Sequence, residues 1–170
     1  MSVIKSKQKP TQYEPYINAI QLRRDLTKLM LKDFGYRPKP VSEYFKNGKK
    51  KSLKQYNSDC EKRQKEEEFF FWFCDNERDF IIELMRKLSY YIQMTVSIGE
   101  PQFQRELEDK LSYYNKIVGT LESLYNELQY IIETLPVDIN KYVSYSDSID
   151  SLINTFIKEK QHNQKTYCYS

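Results

Sequence analysis

Leu107, Tyr114, Leu121, Leu128 and Leu135 recur every seven residues, joined by Ile117, Leu124 and Ile131 and flanked by Leu111, Val118, Tyr125 and Ile132. An apolar face of three positions in seven commits this segment to an amphipathic helix wide enough to pack against two neighbours, where a two-stranded coiled coil needs only a narrow seam. The rest of the chain must then supply those neighbours. Glycine and proline are scarce, four and six in 170 residues, and they act mostly as punctuation. Gly35 with Pro38 and Pro40 closes a first periodic stretch, Gly99-Glu100-Pro101 separates a second from the third, and Leu135-Pro136 ends the third. Asp138 then stands where its carboxylate caps the free amides of a fourth, whose apolar positions are Ile139, Tyr142, Ile149, Ile153, Phe156 and Ile157.

The expected architecture is all-α: an antiparallel up-and-down four-helix bundle with helices at about 13–34, 59–98, 101–135 and 138–160. A flexible basic start covers 1–11, a long basic excursion covers 36–58 between helices 1 and 2, and a flexible tail covers 162–170. The chain is long enough to bury one core without a disulfide or metal staple. Cys60, Cys74 and Cys168 form an odd set without CxxC spacing, which argues against both. The longest apolar run is Phe69 to Cys74, far short of a membrane span, and MSVIKSKQKP lacks the apolar region of a signal peptide. The expected setting is the cytoplasm, with no membrane contact.

Helical projection of the first two helices exposes a conflict. Arg23 falls within the apolar arc of Tyr16, Ile20, Leu26, Met30 and Phe34. Glu77 falls within the arc of Phe70, Phe73, Ile81, Leu84, Leu88 and Ile92. A lone buried charge costs several kcal/mol even after relaxation, so Arg23 and Glu77 are expected to meet as a desolvated structural pair.

Signs of catalysis are absent. The single histidine, His162, lies beyond the expected end of helix 4, so the facing Glu-x-x-His pairs of a di-iron bundle cannot be assembled. There is no Gly-rich phosphate loop, no GxSxG elbow and no cysteine beside a histidine. Acidic runs such as Glu66-Glu67-Glu68 read as solvated faces. No enzyme activity, cofactor or metal is expected.

Charge is distributed unevenly. The net +3 conceals a basic part, residues 1–54, with 14 Lys and Arg against 4 acids, and an acidic remainder with 13 against 20. Lys5, Lys7 and Lys9 lie on the start; Arg24, Lys28 and Lys32 follow at i, i+4 and i+8 on helix 1, a spacing that forms a stripe; and the excursion carries Arg37, Lys39, Lys46, Lys49, Lys50, Lys51 and Lys54. Such a footprint suits a phosphate backbone. Tyr36, Tyr44 and Tyr56 are interleaved with it, where rings can stack on unpaired bases. The other reading of the same charge is a protein-interaction scaffold whose basic part docks on acidic surfaces. Phe69-Phe70-Phe71-Trp72-Phe73 places rings all round its helix, so the excursion or another subunit must cover some of them, which favours a homo-oligomer.

The segments MSVIKSK, LRRDLTKLMLKDFGY (22–36), WFCDNERDFIIELMRKL (72–88) and NELQYIIETLPVDINKYVSY (126–145) resemble the four-helix-bundle accessory proteins of diversity-generating retroelements, the accessory variability determinant type. The resemblance spans most of the chain and is weakest over 46–65 and at the end. It implies a non-catalytic, basic, oligomeric bundle, a pentamer on the family's pattern. Its partners would be the element's reverse transcriptase and the template RNA and cDNA, in support of mutagenic reverse transcription. With the charge pattern, it marks Arg24, Lys28, Lys32, Lys49, Lys50, Lys51 and Lys54 as phosphate contacts, with Lys5, Lys7 and Lys9 beside them.

Overall fold

The computed structural model describes residues 12–39 and 53–167, and the side chains of these except 53–55. Four long helices account for nearly all of them: α1 Glu14–Met30, α2 Leu53–Ile98, α3 Gln104–Thr134 and α4 Asn140–Thr166. No strand occurs among the described residues. The main contacts run α1–α2, α2–α3, α3–α4 and α4–α1, so each helix packs on two neighbours around one core, a helical bundle. The seven-residue repeat of α3 is the wall of that core: Leu107, Tyr114, Leu121, Leu128 and Leu135 are all buried, with Ile117, Leu124 and Ile131 between them. No helix among the described residues is long and apolar enough to cross a membrane.

Helix 1 ends at Met30, four residues short of the expected boundary, because the chain turns left-handed at three successive positions, Asp33 (φ 49°), Phe34 (φ 57°) and Gly35 (φ 85°). Each non-glycine residue in this region costs roughly 1–2 kcal/mol, which the surroundings must offset. Phe34 is fully buried, and its carbonyl accepts a hydrogen bond from the Tyr142 hydroxyl at 2.6 Å. Arg78 of α2 clasps the turn from outside. Its guanidinium donates to the Met30 carbonyl at 3.2 Å, to the Asp33 carboxylate and to Asp75 at 2.6 Å. A helix-end carbonyl left without an intrahelical partner is thereby satisfied.

Helix 2 begins at Leu53, earlier than the expected position 59, and at 46 residues it spans roughly 69 Å at 1.5 Å per residue. Among its described side chains the buried ones begin at Phe70, and those from 56 to 69 are exposed or half-buried. Part of what reads as excursion is therefore helix; residues 40–52 lie outside the described residues. Asp138 accepts the Asn140 amide at 3.1 Å, as its capping position implies. Helix 4 continues to Thr166, beyond the expected end at 160, because Asn163 is buried and its amide group donates to the Glu159 carbonyl at 2.8 Å. His162 accordingly sits on the helix, exposed, and not in a tail.

Candidate nucleic-acid interface

Burial on α1 falls on Ala19, Leu22, Leu26, Leu29 and Met30. Arg24 points almost directly away from the centre of that stripe, and Lys28 lies one turn further on; both are exposed, as is Lys32 just past the helix. Lys28 pairs with Asp25 at 3.2 Å, while Arg24 and Lys32 have no ion-pair partner among the described residues. Hydrogen bonding from Gln21 and then from Lys28 holds the Asp25 carboxyl below its usual range, so the one acid of this face stays ionised and is already engaged. Ile20, Arg23, Arg24, Thr27 and Lys28 line a shallow, open depression of about 430 Å³. Arg37 and Lys39, exposed beyond the turn, extend the run of cations, with Arg37 also 3.7 Å from Asp33.

The expected pair of Arg23 and Glu77 does not form. Arg23 sits roughly 75° from the centre of the buried stripe, at the rim of the bundle, and its side chain contributes to the open depression. The projection misplaced it because the true stripe is centred on Ala19, Leu22, Leu26 and Leu29, not on Tyr16, Ile20 and Phe34. Had those four been weighted, Arg23 would have read as a fourth surface cation. Glu77 is buried as expected, but the group facing it is the Glu127 carboxyl of α3.

Of the other expected phosphate contacts, Lys5, Lys7, Lys9, Lys49, Lys50 and Lys51 lie outside the described residues; Lys54 lies on α2, its side chain undescribed. Tyr36 is half-buried, its ring in a T-shaped contact with that of Phe70, centroids 5.6 Å apart. Tyr44 lies outside the described residues, and Tyr56 is exposed near the start of α2.

The aromatic run divides by helical position. Phe70 and Phe73 enter the core, whereas Phe69 and Trp72 are more than half exposed, with their rings 5.7 Å apart. Phe80, two turns along, and Tyr130 of α3, whose ring meets Phe73 at 5.6 Å, are also exposed. Asp75, Asp79 and Glu83 are exposed on the same helix, Glu83 paired with Lys87 at 2.5 Å.

Burial pushes the Cys74 thiol up to about 11, away from the nucleophilic thiolate. No group of three His, Cys, Asp or Glu among the described residues is arranged to hold a metal ion. Comparison of the chain with protein-family models, with curated proteins and with solved structures gives no match.

Proposed function

We propose that this protein is a cytoplasmic, non-catalytic nucleic-acid-binding accessory protein. In this reading it is an antiparallel up-and-down bundle that associates with a retroelement reverse transcriptase and its template RNA and cDNA to support mutagenic reverse transcription. The observation that carries the reading is the run of exposed cations Arg24 and Lys28 on α1 and Lys32 just past its end, with half-buried Arg23 at the rim beside them and a single engaged acid among them. Fixed cations on a helix surface neutralise phosphates without reading sequence, each contact releasing a counterion. The resemblance of the helix sequences to retroelement accessory proteins supplies the polymerase as partner, and the reading calls for no cofactor.

The test is direct. Arg24→Glu, Lys28→Glu and Lys32→Glu combined should abolish retention of structured RNA at low salt while leaving helicity unchanged; undiminished retention refutes the assignment. For the parent protein, log affinity should fall linearly with log salt concentration, with a slope that shrinks as cations are removed.

The exposed rings Phe69, Trp72, Phe80 and Tyr130 favour a second reading, an oligomeric interaction scaffold in which this surface meets another copy and no nucleic acid is bound. RNA retention by the parent separates the two: on the scaffold reading no RNA is retained even at low salt, while native mass measurement shows a Phe69→Ser, Trp72→Ser variant losing assembly.

A further inference from the structure

Glu77 is 9% exposed, and among the described residues its Oε2 is the buried side-chain oxygen that finds no hydrogen-bond partner. It stands one turn after Phe73 on α2. Glu127, which faces it from α3, stands three residues before Tyr130, so the carboxyl pair and the Phe73–Tyr130 ring contact share one stretch of the α2–α3 seam. The charged and titratable groups nearby do not relieve it. Cys74 and Arg78 flank it on its own helix, while Asp33 from the turn after α1 and Tyr142 from α4 approach on the Cys74 side. Arg78, the one cation of that set, is committed to Asp33, Asp75 and the Met30 carbonyl. Two carboxylates at hydrogen-bonding range repel when both are ionised, and a single proton converts that repulsion into an O–H···O bond.

We propose that Glu77 and Glu127 form a one-proton lock on the α2–α3 seam, closed while the two carboxyls share a proton and loosened when both ionise, so that the exposed ring surface around Trp72 responds to pH. Burial, and then the hydrogen bond with Glu127, push Glu77 up to about 7 from an ordinary value of 4.5. The folded protein thus holds this proton to higher pH than the unfolded chain does. The contribution of the shared bond is complete below about 4.5 and is lost as pH rises through about 7.

Trp72 is the only tryptophan, so its emission reports this surface alone. In the full-length protein at fixed ionic strength, raising the pH from 5 to 8.5 should shift Trp72 emission with a midpoint near 7. The melting temperature should fall by about 5 °C over the same range. Glu77→Gln and Glu127→Gln should each flatten both profiles and raise the melting temperature at pH 8. His162→Gln, which removes the one exposed imidazole, should leave them unchanged. The lock is refuted if both glutamine variants keep the parent profile. It is refuted equally if the carboxyl carbon of Glu77, followed by NMR in the unaltered protein, titrates near 4.5, a reading that needs no variant to fold.

Discussion

Two half-buried or buried glutamates in this bundle sit in opposite surroundings. At the α3–α4 end, Glu159 is met by donors: the Tyr13 hydroxyl and, at 3.2 Å, the Tyr114 hydroxyl both donate to its Oε2. Asn163 completes the cluster, its amide group 3.5 Å from the Tyr114 oxygen. Lys110 lies within electrostatic reach, its ammonium drawn below the usual range by burial and partly supported by Glu159. Along the α2–α3 seam, Glu77 is met by another acid. Burial alone therefore does not set the cost of an inward carboxylate; the chemistry that faces it does. Where donors converge, the carboxyl oxygen has its hydrogen bonds and both tyrosines are held firmly protonated, first by burial and then by Glu159 itself. Where an acceptor faces an acceptor, the site is stable only with a proton present.

The largest test of that contrast removes the satisfied acid. Glu159→Ala would leave two phenol hydroxyls without an acceptor, one of them on Tyr114, which is 3% exposed. The expected loss is about 3 kcal/mol in urea unfolding at neutral pH, since each stranded buried donor costs on the order of 1–3 kcal/mol. A loss below about 0.5 kcal/mol, the range of ordinary surface substitutions, would mean that Glu159 is no more than a surface group and would collapse the comparison.

The opposite sign is expected at the seam. Glu77→Gln should stabilise the protein by about 2 kcal/mol at pH 8, because an amide can donate to the Glu127 carboxylate where an ionised acid cannot. At pH 5, where the parent holds the shared proton, the gain should vanish. Glu159→Gln should instead weaken the fold at both pH values, since the amide oxygen is the poorer acceptor for two phenols. If the two glutamine variants shifted stability in the same direction at pH 8, the distinction between donor-faced and acid-faced carboxyls would fail.

Much of this arrangement was legible in the chain. The heptad spacing of α3 and the Gly-Pro punctuation specify four helices, because a helical period and a helix stop are local properties that tertiary packing here reinforces. The outward placement of Arg24 and Lys28 follows from the same periodicity. What failed was the side-chain pairing between Arg23 and Glu77, which needed the identity of a partner on another helix. Projection marks Glu77 as inward, yet only the rotation of α3 about its axis decides that Glu127 and not Arg23 meets it. The left-handed turn at Asp33 and Phe34 was illegible for a related reason. Phe disfavours positive φ and Asp adopts it only occasionally, and the clasp by Arg78, 45 residues away from Asp33, together with the Tyr142 bond to Phe34, makes the conformation stable. Glu159 and its tyrosines gave no local signal either, since Tyr13 lies 146 residues from its acceptor.

The smallest effect tests whether the two sites are independent although both draw on α3. Gly119 lies between them, five residues from Tyr114 and eight from Glu127, in a regular helical turn where an added Cβ meets nothing within 4 Å. Gly119→Ala should therefore stabilise the protein by about 0.8 kcal/mol, the difference in intrinsic helix propensity, through the backbone alone. The Ser123 hydroxyl, which donates to the Gly119 carbonyl at 2.9 Å, keeps its acceptor in the variant. Sites roughly 7–10 Å or more apart with no shared partner add to within about 0.5 kcal/mol. Gly119→Ala combined with Glu77→Gln should accordingly give the sum of the separate gains, and Gly119→Ala alone should leave the pH midpoint of Trp72 emission where it was. A displaced midpoint would show that α3 transmits strain from the tyrosine cluster to the seam, and the two glutamates would then belong to one coupled system.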